Sequence, residues 1–159
     1  MSRYAEKTEV PADRSRNEIE KTLTRYGAQG FMYGWEDSGK RAIIAFMIGG
    51  KRIRFELPMP DPNAEEFVTT SQGRPRSDTA ARAAWEQASR QRWRALALAV
   101  KAKLEAVAAG IATFEEEFLA YILMPDGRSV GDHAMPALSA AYATGKTQRL
   151  LPAAFGEAP

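Results

Sequence analysis

Along Phe31 to Leu57, FMYGWEDSGKRAIIAFMIGGKRIRFEL, apolar and polar side chains alternate in three runs divided by Asp37-Ser38-Gly39 and Gly49-Gly50. Alternation at every second residue marks a strand with one buried face. The pattern therefore predicts three antiparallel strands in a meander. Gly49-Gly50 can adopt the positive φ angles of a two-residue hairpin, which sets Phe46 opposite Ile53 and Ile44 opposite Phe55. One face then carries Phe31, Tyr33, Trp35, Ala42, Ile44, Phe46, Ile53, Phe55 and Leu57, an apolar surface that helices must cover. The other face is mixed, with Met32, Gly34, Ile43, Ala45 and Met47 among Arg41, Arg52 and Arg54. A purely solvated face would be more polar, so this one suits a partner.

Helical spacing brackets the meander. Ser15 and Glu18 fit a capping box, Ile19, Leu23 and Tyr26 form one apolar stripe, and Gly27 fits the left-handed terminator. After the sheet, Pro58-Met59-Pro60-Asp61-Pro62 stops the ladder, and a polar loop runs through residues 58–77. Loops of that length are functional or disordered in compact domains. A helix from near Asp78 to Ala109 follows, its seam formed by Trp85, Ser89, Trp93, Leu96, Val100, Leu104 and Val107. Thr113 and Glu116 form a second capping box for a shorter helix through Phe118 and Ile122. Pro125-Asp126-Gly127 is a turn, and a last helix spans Val130 to Ala143 with Gly145 ending it. The predicted class is α+β, in α-β-β-β-α order: a three-stranded antiparallel meander packed on a long helix, with additional C-terminal helices. Residues 1–14 read as a loose arm, 15–152 as one domain, and 153–159 as a tail, with Leu150-Leu151 docking on the body.

Composition narrows the chemistry. With 159 residues the chain can bury one real core. Cysteine is absent and histidine occurs once, at His133, which removes disulfides, thiolate chemistry and multi-histidine metal sites. No apolar run reaches the length of a membrane span, and the start has no apolar signal segment, so a cytoplasmic, membrane-free protein is expected. The net charge of +2 hides an asymmetry: Arg74–Lys103 holds eight Lys/Arg against two Asp/Glu, and Thr113–Pro159 three against six. A basic middle before an acidic end suits a polyanion partner, or self-association of unlike surfaces.

The leading candidate surface is therefore basic. Arg41, Arg52 and Arg54 lie on the sheet and Arg74 and Arg76 in the loop. Arg90, Arg92, Arg94, Lys101 and Lys103 lie on the long helix. Arginine suits bidentate phosphate contacts, and each cation beside a phosphate releases condensed counterions. The plain alternative is a solvated helix face. Trp85, near the start of that helix, is the aromatic chosen as a stacking platform for an unpaired base, against core packing for the set as a whole. Glu115-Glu116-Glu117 fits the first turn of a helix better than a metal site. Asp132-His133 lacks a nucleophile motif, and the glycine pairs lack the Gly-Lys-Ser/Thr ending of a phosphate loop. No catalytic constellation, metal site or cofactor is read from the chain.

Several segments resemble a set of uncharacterised small proteins encoded by bacteriophages and prophages: NEIEKTLTRYGA, FMYGWED, IRFELPMP, RQRWRALALAVKAKLEAV and FEEEFLAYILMPDGRSVGD. The resemblance implies a phage-derived cytoplasmic protein and brings no catalytic residue. The element order is also similar, by topology alone, to the double-stranded-RNA-binding domain and to the β-β-β-α core of Rad52-type annealing proteins. The expected function is nucleic-acid binding, DNA rather than RNA, in phage replication, recombination or annealing. Arg52, Arg54, Arg74, Arg76, Arg90 and Arg94 would contact phosphates and Trp85 would stack. The alternative is a protein–protein interaction module, such as a phage inhibitor of a host defence or transcription component. Homo-oligomerisation is a further expectation.

Overall fold

Three runs of alternating side chains form the predicted meander. In the computed structural model, which describes residues 13–152, β1 (Gln29–Glu36), β2 (Arg41–Ile48) and β3 (Lys51–Pro58) pair antiparallel in the order β1-β2-β3. The register is the one expected from Gly49-Gly50: Phe46 faces Ile53 and Ile44 faces Phe55. Both glycines take positive φ, 56° and 74°, which a side chain would strain. On the inner face Ala42, Ile44, Phe46, Ile53 and Phe55 are buried, with Phe31, Tyr33, Trp35 and Leu57 partly so.

Two helices cover that face. The first, α1 (Asp13–Thr24), contributes Ile19 and Leu23; after the short α2 (Glu65–Val68), α3 (Asp78–Ala108) contributes Trp93, Ala97, Val100 and Leu104. Helix α1 begins two residues before the expected Ser15 cap, so Ser15 lies inside it. Its end follows expectation: Gly27 has φ 90°, and Ala28 and Gly27 donate back to Leu23 and Thr24, closing the helix's free carbonyls. Ser77 caps α3, accepting from Ala80 N–H.

The 58–77 segment is folded. Asp61 accepts from Asn63 N–H, Phe67 of α2 is buried, and a tight turn closes by Thr70 N–H to Arg74 C=O at 2.7 Å and Arg76 N–H to Val68 C=O at 2.8 Å. Most of the expected arm, and the 153–159 tail, lie outside the described residues.

Beyond α3, the Thr113–Glu116 capping box forms in both directions and opens α4 (Phe114–Phe118), whose Phe118 enters the core. A 3-10 turn, Leu119–Tyr121, leads to residues 122–124, which run beside β3: Leu123 N–H donates to Arg52 C=O at 2.8 Å. The turn Pro125–Gly127 reverses the chain into α5 (Val130–Thr144), capped reciprocally by Ser129 and Asp132. Pro136 inside α5 cannot donate to the carbonyl of Asp132, and the Arg128 guanidinium takes that acceptor instead, at 3.2 Å. Leu150 and Leu151 remain exposed rather than docked.

Candidate nucleic-acid interface

The arginines singled out from sequence do not share one surface. Arg52 and Arg54 project from the outer face of the sheet, and Arg90 and Arg94 from α3, which packs on the inner face. Helix and sheet cations are thus separated by the thickness of the core.

The sheet arginines also differ in availability. Arg54 is half-buried and held by Glu56 at 3.1 Å, Asp132 at 3.8 Å and the Gly127 carbonyl at 3.4 Å. It docks the C-terminal turn and α5 onto β3, so a phosphate would have to displace three partners. Arg41 is paired with Glu56 at 2.6 Å and Glu36 at 3.3 Å. Arg52 is exposed without a side-chain partner among the described residues. In the folded loop Arg74 is exposed and Arg76 half-buried.

Trp85 is not a stacking platform. It is 7% exposed, and its indole N–H donates to the Pro60 carbonyl at 2.7 Å. Its ring fastens the 58–62 segment to α3, and a base cannot reach both of its faces. Trp93 is buried as well.

A different set of cations does converge. Helices α1 and α3 run side by side in the same direction. Arg14 and Glu18 lie across from Arg90, Gln91 and Arg94, while Lys21 and Arg25 lie across from Lys101 and Glu105. Tyr26 closes the far end, its hydroxyl donating to the Leu104 carbonyl at 3.3 Å. Two adjoining hollows of about 400 and 420 Å³, both touching Glu18, make one groove between the helices. Helical periodicity explains the arrangement. Arg90, Arg94 and Lys101 fall on the α1-facing flank of α3, next to its buried seam, whereas Arg92 and Lys103 fall on the other flank.

Six cations, Arg14, Lys21, Arg25, Arg90, Arg94 and Lys101, therefore border the groove against two acids, Glu18 and Glu105. None of the six has an ion-pair partner among the described residues; Arg90 donates to the uncharged Gln87 at 2.6 Å. Lys103, by contrast, is held by the Glu117 carbonyl at 2.9 Å and carboxylate at 3.6 Å. Among the described residues the groove offers unneutralised positive charge and no exposed ring face beyond Tyr26 at its end. Such a surface can track a phosphate backbone but has little with which to read or stack bases. Sequence reasoning found Arg90, Arg94 and Lys101; Arg14, Lys21 and Arg25 were missed. Their signal was present in the stretch Arg14–Arg25, but its relevance depends on α1 lying beside α3.

The acidic candidates have structural tasks. Glu115 pairs with Lys51 at 3.2 Å, Glu116 closes the capping box, and Glu117 holds Lys103. The Glu115 carboxyl is held below its usual range by hydrogen bonding to backbone N–H and then by Lys51. Asp132 is likewise lowered, first by the Ser129 N–H and hydroxyl it caps, then by Arg54 and Arg128. His133 is 10% exposed with Nε2 2.7 Å from Asp126, tying the 125–128 turn to α5. Among the described residues no three His, Cys, Asp or Glu side chains gather as a metal site, and no helix is long and apolar enough to cross a membrane.

No protein-family model, no curated protein and no solved structure matches the chain.

Proposed function

We propose that this protein binds nucleic acid through the groove between α1 and α3, contacting the phosphate backbone with Arg14, Lys21, Arg25, Arg90, Arg94 and Lys101. The observation that carries the reading is the six-to-two excess of unpaired cations over acids, among the described residues, along one two-helix groove. Placing like charges side by side without counter-ions is unfavourable in the free protein, and a polyanion relieves it. Each phosphate contact releases counterions, so affinity depends steeply on salt and little on sequence. DNA is the favoured ligand, in the replication, recombination or annealing setting implied by the likeness to phage-encoded proteins. Arg52, Arg74 and Arg76 are peripheral in this reading, and Arg54 and Trp85 are structural.

Fluorescence-anisotropy titration with labelled single- and double-stranded DNA at two salt concentrations tests the proposal. Binding that weakens steeply with salt is expected. Absence of binding at low salt, or affinity indifferent to salt, refutes it.

A protein-binding role has its own supporting observation. From Ala134 to Thr144, α5 carries no charged side chain, and Met135, Leu138 and Tyr142 are exposed along it, Tyr142 by 86%. Capture of a host protein that survives nuclease treatment, and is lost in Leu138→Asp, distinguishes this reading from the first.

A further inference from the structure

A sheet has two edges, and among the described residues only one of them is covered. Residues 122–124 run along the free side of β3, but no described backbone group outside the sheet pairs with β1. Two bonds show which β1 groups are left over. Arg52 C=O turns away from β2 to accept from Leu123, and Lys40 C=O bonds Met59 N–H at 2.8 Å on the β3 side. Backbone direction alternates along a strand. Even-numbered residues of β2 therefore bond β3, and odd-numbered ones bond β1. In the observed register, Arg41, Ile43 and Ala45 face Glu36, Gly34 and Met32. Tyr33 and Trp35, and the carbonyl of Phe31, must then turn to the open edge.

Natural edges are usually blunted by proline, charge, a bulge or a covering segment. The stretch Gln29–Trp35 has no proline and no charged residue. Its one irregularity is at its start, where the register shifts between Gln29 and Met32 and Gly30 has φ 67°. The strand is also firmly presented: the Tyr33 hydroxyl donates to Glu20 at 2.9 Å, and Arg16 lies 4.1 Å over its ring. On the inner face Phe31, Tyr33 and Trp35 are only partly buried, and on the outer face Met32 is 68% exposed.

We propose that β1 pairs with β1 of a second copy of this chain, antiparallel and centred on Tyr33, joining two three-stranded sheets into one of six strands. The pattern is self-complementary. Tyr33 faces Tyr33 of the second copy, and Phe31 faces its Trp35, so the outward N–H and C=O of Tyr33 find their opposites and the Phe31 carbonyl meets Trp35 N–H. The partly buried aromatics complete each other's packing across the seam. On the outer face the long Met32 lies opposite Gly34, and Glu36 lies opposite Gly30, so no like charges meet. A foreign strand would need to reproduce this spacing of large, small and uncharged positions; a second copy has it already.

The chain's lack of cysteine makes the register testable. In the proposed pairing Met32 and Gly34 of the two copies form a non-hydrogen-bonded pair, with Cα atoms about 4.5 Å apart, within disulfide range. Met32→Cys and Gly34→Cys both lie on the outer face: Met32 is exposed, and a Cβ at Gly34 meets nothing within 4 Å. Sedimentation equilibrium of the full-length wild type should show a concentration-dependent dimer of twice 17.5 kDa. Mild oxidation of the two variants mixed in equal amounts should give a disulfide dimer. Each variant alone should give roughly tenfold less, because identical positions lie beyond the ~7 Å limit for a disulfide. A monomer at every concentration overturns the proposal, as does a dimer in which either variant alone cross-links as well as the mixture.

Discussion

Replacing Arg90 and Arg94 together by alanine isolates the groove from the rest of the charged surface. Six cations among the described residues border the groove and can make up to six phosphate contacts there. With a slope of about −0.9 per contact on duplex DNA, the logarithm of affinity falls by up to about 5.4 per decade of salt. The double variant keeps four of the six, and its slope should be shallower by about 1.8. Between 50 and 200 mM salt the ceiling on affinity loss then drops from roughly 10³-fold for wild type to roughly 10²-fold for the variant. Both side chains are exposed and lie outside the buried seam, so unfolding midpoints should be unchanged within about 0.5 kcal/mol. The assay is anisotropy with one duplex over a salt series, with Arg52→Ala/Arg74→Ala as the matched control for lost charge. If the control loses as much slope as the groove variant, the groove has no special role and the reasoning fails.

Other consequences are local. Trp85→Phe removes the donor to Pro60 and should cost about 1–2 kcal/mol in urea unfolding while leaving DNA affinity intact; lost affinity at unchanged fold would restore a stacking role. The Ser89 hydroxyl is buried on the α3 seam with no hydrogen-bond partner, so Ser89→Ala should raise stability by about 1 kcal/mol; a loss would mean the hydroxyl is satisfied in solution. Phe46→Ala removes a ring that is 1% exposed and stacked between Phe31 and Phe55, and should cost about 3–5 kcal/mol by the same measurement. Asp132 has a lowered pKa in the folded state, so its capping contribution is complete above the unperturbed 3.8 and lost as pH falls through the depressed value. Thermal melts should accordingly show a smaller acid-induced fall for Asp132→Asn than for wild type, and equal falls would assign the acid transition elsewhere.

The meander and its register were legible because the information is local. Two glycines and a period of two settle which residues face inward, and the long helix announces itself by the spacing of its apolar seam. The cation site was only half legible. Arg54 resembles Arg52 in sequence, but its partners Gly127 and Asp132 lie more than seventy positions away, and only the turn back onto β3 brings them together. Arg14, Lys21 and Arg25 gain meaning only once α1 lies beside α3, a tertiary contact that no periodicity within either helix encodes. Trp85 was ambiguous for another reason: an aromatic on an apolar seam near a helix end can face solvent or a neighbouring segment. Here Pro60 occupies its N–H. The 58–77 stretch read only as a long polar loop because its order rests on one buried phenylalanine and a few turn hydrogen bonds rather than on a repeating pattern.

The way α5 is attached has a bearing on motion. Its first turn is gripped by the Ser129–Asp132 cap, by Arg128 on the carbonyl that Pro136 leaves free, and by Gly131 lying so close to Ala120 that a Cβ there would come within 2.9 Å of the carbonyl oxygen. No residue of the helix is fully buried, and past Pro136 all but Ala137 and Ala141 are exposed. Local unfolding should therefore begin at Gly145 and travel backwards, stopping at the proline. Amide exchange would be fast from Ala137 onward and slow in the first turn, making α5 a hinged arm with a fixed shoulder.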